Sequence, residues 1–367
     1  MAISLVTHTP KHLHYYTNMS DKINLFQINR AWAQIRDEVF ALTDQYHRQG
    51  IAQNGDPALV LEAELCHRFN RKYCVVTGSC TDALDLALQA LKLPRNAKVA
   101  VGNYTFTATA HAVARAGYQV VPVDVTENYT IDVNKIDQVD AVVPVDLFGN
   151  MSNWHSLGRL SVPIVNDAAQ SLESNDWVSW SAAKGLVSCV SFSPSKTISS
   201  WGSGGALLTD DADIATLCRQ LRIHGKLRND DIAVGAGLNS IMSTMEVAAV
   251  LVGLKHSGAW QERRTQISEY IRTNCNFKSA NDSNTLMKNT YHKLVFQSDC
   301  RDELVAKLND QGIGATVHYR QTVNDETLYA TKRSFPVSDR LKAISFTVPN
   351  QHTLTDAEVE RIVKALK

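Results

Sequence analysis

The chain has 367 residues, 44% hydrophobic and 20% charged, with 37 basic against 37 acidic side chains. A chain of this length can bury a large core and is expected to divide into two domains. Zero formal charge gives no basic excess for a nucleic acid to read, so no polyanion partner is expected.

The seven cysteines are scattered and odd in number, with no C-x-x-C pair. That argues against a disulfide framework or a zinc site and suits a reducing compartment. The opening MAISLVTHTPKHLHYYTNMS lacks the basic start and apolar core of a secretory signal. The most apolar helical stretch, AAVLVGL (248–254), is too short to span a bilayer. A soluble, cytoplasmic protein without metal or membrane contact is expected.

Between residues 74 and 210, short apolar runs alternate with helical patterns. TDALDLALQALK (81–92) and TATAHAVARAG (107–117) have helical spacing, the second stopping at Gly117. KVAVG (98–102), QVVPVDV (119–125), AVVPVD (141–146), VPIVND (162–167), VSCVSF (187–192) and GALLTD (205–210) read as buried strands. The alternation predicts an α/β fold with a mostly parallel sheet. Residues 241–273 predict one long helix or two, at a domain or subunit boundary. YHKLVFQ (291–297), DELVAKLNDQG (302–312), ATVHY (315–319) and TDAEVERIVKALK (355–367) predict a smaller α+β unit. The expected division is residues 1–240, an arm and large domain, and 241–367, the long helix region and small domain.

Ligands of such sheets sit at the carboxyl ends of strands, and three strand ends carry suitable groups. Ser79-Cys80-Thr81 opens a helix, where free N–H groups attract a phosphate; plain N-capping would explain the same residues. Asp167 ends a strand ahead of Gln170, either as a cap or as an acid facing a cationic ring nitrogen. Lys196 lies in SFSPSKTISSWGSGG (191–205), after a strand end at Ser191 and before glycines that let the backbone approach a ligand. A solvated loop lysine is the plain alternative. Together these groups suit pyridoxal phosphate, which needs a phosphate cup, an acid on its pyridine nitrogen and a lysine for its Schiff base.

The chain resembles the DegT/StrS nucleotide-sugar aminotransferases, pyridoxal-phosphate enzymes of the aspartate-aminotransferase (type I) fold. SCTDALDLAL (79–88), GNYTFTAT (102–109), GYQVVPVDV (117–125), PVDLFG (144–149), NDAAQSLE (166–173), SFSPSKTISSWGSGG, GIGATVHY (312–319) and TVPNQHTLTDAEVERIV (347–363) follow the family's motifs in order. The resemblance implies that Lys196 holds the cofactor and shuttles protons, and that Asp167 keeps the pyridine nitrogen protonated. It implies that Phe106 stacks on the ring, that Gln170 contacts it, and that Cys80, Thr81 and Ser191 hold the phosphate. Asn239, in GAGLNSIM, would reach the phosphate of a neighbouring subunit, giving a homodimer with shared active sites. His318 and Tyr319 would lie near the sugar. The implied reaction moves an amino group, from glutamate, onto a nucleotide-linked keto-sugar.

Several positions depart from the family pattern: Cys80 for glycine, Asp146 for histidine, Thr197 for asparagine, Ser203 for an acid, and Ser240-Ile241 where an arginine is common. Two rivals follow. One is a sugar dehydratase on the same scaffold, in which a histidine replaces the lysine; Lys196 argues against it. The other is a cofactor-binding protein with a regulatory role and no turnover.

Overall fold

The computed structural model describes residues 22–172, 185–227, 231–281 and 289–367. The signal-peptide reading of residues 1–20 lies outside them. Seven strands form the larger sheet: β1 (Tyr73–Thr77), β2 (Lys98–Gly102), β3 (Gln119–Val123), β4 (Ala141–Val143), β5 (Val165–Asp167), β6 (Val187–Ser191) and β7 (Gly205–Thr209). Parallel bridges Val142–Ile164 and Val145–Asp167 join its two halves, giving the order β3-β2-β4-β5-β6-β7-β1. Only β7 runs against its neighbours. The loop 192–204 returns directly from β6 to β7, as antiparallel neighbours allow, whereas a parallel pair needs a longer crossover.

The apolar strands bury both faces. Cys74 and Val76 enter one core with Leu61 and Leu65 of α2 (Asp56–Arg68), while Val75 enters the other with Ala83 and Ala87 of α3 (Cys80–Ala90). Each fully buried valine or leucine contributes roughly 1.5–3 kcal/mol. A slip of one residue would exchange the two sets, so the register is strongly specified. The second core also takes Ala112 and Val113 of α4 (Ala108–Arg115) and Ile214 and Cys218 of α6 (Ala212–Arg222), which follows the short α5 (Trp154–Leu157).

The predicted helical stretch after residue 241 is one helix, α7 (Thr244–Asn274), started by a capping box of Ser243 and Glu246. Its first half buries Val247 and Val250 under the large sheet; its second sends Ile267 and Ile271 into a separate core. That core surrounds an antiparallel sheet of β8 (Lys278–Ser279), β9 (Leu294–Gln297) and β10 (Ser345–Val348), order β10-β9-β8. Helices α8 (Arg301–Asp310), α9 (Pro336–Ile344) and α10 (Asp356–Ala365) complete this part. Residues 315–319 are not a regular strand; Thr316 alone bridges, to Thr347.

Helices α1 (Ile28–His47) and α2 were not anticipated. α1 lies along α7, burying Ile35 and Val39 against Ala248 and Val252. Ile23 bridges Ile313, and Arg30 makes a two-pronged contact with Glu358, 2.7 Å on each side. The first described residues therefore pack on the C-terminal unit. Among the described residues, no helix is long and apolar enough to cross a membrane.

Candidate active site

The chemically useful strand ends converge on one cavity of about 260 Å³, walled by Ser79, Cys80, Thr81, Phe106, Asp167, Gln170, Ser191, Lys196 and Tyr319. Eight of the ten side chains named from sequence line it. Asn239 and His318 do not.

At one end is the start of α3. Ser79 caps the helix by accepting from the Asp82 N–H at 3.1 Å. The Cys80 and Thr81 N–H groups point to no acceptor among the described residues, and they occupy the positive end of the helix dipole. β7 runs so near this turn that a Cβ on Gly205 would collide with the Cys80 amide. That close approach is the reason for a glycine in GSGG. Burial pushes the Cys80 thiol well up, so it sits here neutral.

At the floor, Asp167 is almost fully enclosed. Burial raises its pKa, while the Thr109 hydroxyl (2.8 Å), the Ala169 N–H (3.2 Å) and the Lys196 charge pull it back. The capping contact with Ala169 exists, yet it uses one carboxylate oxygen of an acid that also faces the cavity.

Lys196 is half-buried, in a loop braced by its own backbone and hydroxyls. Its N–H donates to the Ser193 carbonyl at 2.9 Å, and Ser200 donates its hydroxyl to the Gly202 and Ser203 carbonyls. Burial lowers the Lys196 pKa, and the Asp167 carboxylate offsets part of that. A lysine with a depressed pKa beside a cavity is equipped to exchange protons.

Gln170 is fixed on both sides: its carbonyl oxygen accepts from the Phe148 N–H at 2.8 Å, and its amide donates to the Tyr319 hydroxyl at 3.2 Å. Phe106 is 53% exposed and lies 5.8 Å from the Tyr319 ring, so its face is available to a flat ligand. His318 bonds Thr347 through Nδ1. Burial and the charges of Lys293 and Lys196 pull it down to about 3, so it is neutral near pH 7. Asn239 is exposed and bridges Ile223. It does not start α7, which Ser243 caps.

Two positioning residues escaped the sequence reading. Thr109 is one. The other is Tyr104, whose hydroxyl donates to the His318 carbonyl at 2.7 Å and accepts from the Tyr319 N–H at 2.8 Å. Both lie inside GNYTFTAT, which was the available signal.

The family model described as DegT/DnrJ/EryC1/StrS aminotransferase matches residues 33–367. The chain belongs to this family. It is 27% identical over 363 residues to a UDP-2-acetamido-2-deoxy-3-oxo-D-glucuronate aminotransferase of Pseudomonas aeruginosa, covering 94% of this chain and 99% of the relative. It is 25% identical over 365 residues to a pleiotropic regulatory protein of Geobacillus stearothermophilus, with 94% and 97% covered. The crystal structure of S. venezuelae DesV in complex with a ketimine intermediate superposes with a TM-score of 0.87 at 25% identity, covering 94% of this chain and 98% of that one.

As a DegT/DnrJ/EryC1/StrS chain, this protein carries its departures in structured places. Ser240 accepts from the Gly78 N–H and donates to Asp82, both at 2.8 Å, and so braces the turn before α3. The Ser203 N–H donates to Glu246, so α7 supplies the acid at that turn. Asp146 is fully enclosed and accepts from the Ser152 N–H, Asn166 and Ser171. Burial raises it to about 6.

Proposed function

We propose that the chain is a pyridoxal-phosphate-dependent aminotransferase that moves an amino group from glutamate to a keto-sugar carried on a nucleotide. The observation that carries this is the meeting of Lys196, Asp167 and the open start of α3 in one cavity. The donor set fits the cofactor: two unpaired N–H groups and hydroxyls for a phosphate, an enclosed acid for a ring nitrogen, and a lysine lining the same cavity, near enough to Cys80 and Asp167 to feel both electrostatically. The nucleotide-sugar names of relatives support the substrate class.

When bound, pyridoxal phosphate supplies the electron sink that makes the amine-bearing carbon of a donor acidic. The residues do the rest. Thr81, Ser191 and the Cys80 and Thr81 amides hold the phosphate. Asp167 keeps a proton on the ring nitrogen, with Thr109 holding the carboxylate in place. Lys196 Nζ anchors the cofactor and later moves the proton of the reacting carbon. Phe106 and Gln170 fix the ring, and flat stacking adds about 0.5–1.5 kcal/mol beyond burial. Tyr319 and His318 belong on the sugar side.

The working unit is a homodimer in the cytoplasm. An exposed Asn239 that serves neither its own cavity nor a helix cap supports a contact with a second copy. The division into residues 1–240 and 241–367 belongs to the same reading, with segment 23–30 docked on the second part.

Incubation of the cofactor-loaded protein with L-glutamate tests the activity. A transaminase shifts the visible absorption to that of the amine form of the cofactor and releases 2-oxoglutarate. Borohydride reduction and peptide mapping should place the label on Lys196; a label on another lysine would overturn the assignment. A cofactor-binding regulator without turnover is the competing reading, favoured by the regulatory name of one relative. Such a protein would leave glutamate unconverted.

A further inference from the structure

Asp146 is not part of the cavity wall, yet its side chain joins the two loops that bear on it. Its Oδ1 accepts from the Ser152 N–H at 2.8 Å and so closes the turn 147–152. Its Oδ2 accepts from the Asn166 amide at 3.3 Å and from the Ser171 hydroxyl at 3.1 Å. Asn166 and Ser171 bracket the segment that carries Asp167 and Gln170. The main chain repeats the link: the Asp146 N–H donates to the Asp167 carbonyl at 3.2 Å, and the Asp167 N–H donates to the Pro144 carbonyl at 2.9 Å.

The turn that Asp146 closes is strained. Phe148, bulky and fully buried, has φ at 62°, in the left-handed region. Such a conformation persists only where the surroundings impose it, and such outliers gather at functional sites. Here it brings the Phe148 N–H to Gln170 Oε1 at 2.8 Å and lays the Phe148 ring against Tyr319, with centroids 6.3 Å apart. Gln170 and Tyr319 both wall the cavity.

We propose that Asp146 is a positioning residue for the amino transfer: one carboxylate, gripping Ser152 on one loop and Asn166 and Ser171 on the other, holds Asp167 and Gln170 in place at the cavity. The proposal rests on the reading of Asp167 as the acid for a ring nitrogen. It adds that position 146 supplies acceptor atoms and not charge. All three side-chain bonds are donated to it, and burial works against its ionised form. An asparagine there keeps an acceptor for the Ser152 N–H. The Asn166 amide, whose Oδ1 is buried without a partner, can then turn that oxygen toward the new NH2 group.

Three variants of the full chain test the role. Asp146→Ala leaves its donors bare and should lower kcat with glutamate by about tenfold to a hundredfold, with KM little changed. Asp146→Asn should restore most of that loss, in contrast to Asp167→Asn. Ser171→Ala removes one grip; it should cost a smaller factor and add nothing to Asp146→Ala. It serves as the probe if Asp146→Ala does not fold. Amide hydrogen exchange on the cofactor-free chains reads the clamp without turnover. Protection of residues 147–152 and 166–171 should fall together in Asp146→Ala and return in Asp146→Asn. Unchanged kcat or unchanged exchange in the folded probe would overturn the role. So would a folded Asp146→Asn as impaired as Asp146→Ala. A parent chain that leaves glutamate unconverted would overturn the function on which the proposal rests, and the exchange pattern keeps that result apart from a failed clamp.

Discussion

Thr109, near the start of α4, donates its hydroxyl to Asp167 Oδ2 at 2.8 Å, and so ties one helix to the acid at the end of β5. The bond favours the ionised carboxylate inside a site whose burial favours the neutral one. A hydrogen bond to a charged group contributes about 1.5–3 kcal/mol. Thr109→Val should therefore raise the Asp167 pKa further and lower kcat by about tenfold or more. The acid limb of the kcat profile should move to higher pH, with KM for the donor little changed. An unmoved acid limb would show that Thr109 only packs.

Asp167→Asn should leave the fold intact and nearly abolish transamination. A neutral amide keeps the bonds to its neighbours but cannot hold a proton on a ring nitrogen. Circular dichroism and a melting curve check the fold, and single-turnover absorbance with glutamate checks the chemistry. Turnover near the parent rate would reduce Asp167 to a local cap for the Ala169 N–H.

Lys293 gives a pH signature in stability. Burial, with the nearby Lys196 and Arg264 charges, brings its pKa from 10.5 down to about 7. Between pH 7 and 10.5 the unfolded chain binds a proton that the folded chain has shed, so this group makes stability rise with pH across that window. At pH 7 and below, the folded chain carries the buried charge at its largest cost. Lys293→Met should stabilise most there, by up to ~5 kcal/mol, and the gain should vanish by about pH 10.5. Denaturant midpoints at pH 6, 8 and 10 measure it. A gain that does not depend on pH would mean that packing, and not charge, is responsible.

The shared-site dimer can be tested by mixing. Lys196→Ala and Asn239→Ala homodimers should each be impaired at both sites. After subunit exchange, a mixed dimer has one site with both lesions and one with neither, so activity should rise. Proven exchange without gain would place Asn239 at its own chain's site or at none.

The sequence made the large sheet legible because its strands are continuous β-branched runs bounded by helices with clear periodicity. It made Lys196, Asp167 and the α3 turn legible because each follows such a run directly. The direction of β7 was not legible, since an apolar strand reads alike in either direction and only the short return through 192–204 decides it. Helix α1 was missed because its buried face is narrow, enclosing only Ile35, Val39 and Thr43; α2 was missed because its buried face, Pro57, Ala58, Leu61, Glu62 and Leu65, includes a charged residue that blurs the apolar pattern. Tyr104 was missed for another reason. Its partners are the peptide groups of His318 and Tyr319, and contacts across such separations leave no local pattern.

The placement of β7 has a consequence for biosynthesis. Among the described residues, β1 sits at the sheet edge and pairs with no strand except β7. As the chain leaves the ribosome, β1 and the turn before α3 wait, unpaired, until residues 205–209 have emerged. The same late strand carries Gly205, which closes against Cys80. Pairing at such separation is slow to form and leaves an apolar edge open meanwhile. Nascent chains halted before residue 205 should consequently be protease-sensitive and prone to associate, and those halted after β7 clears the exit tunnel should not.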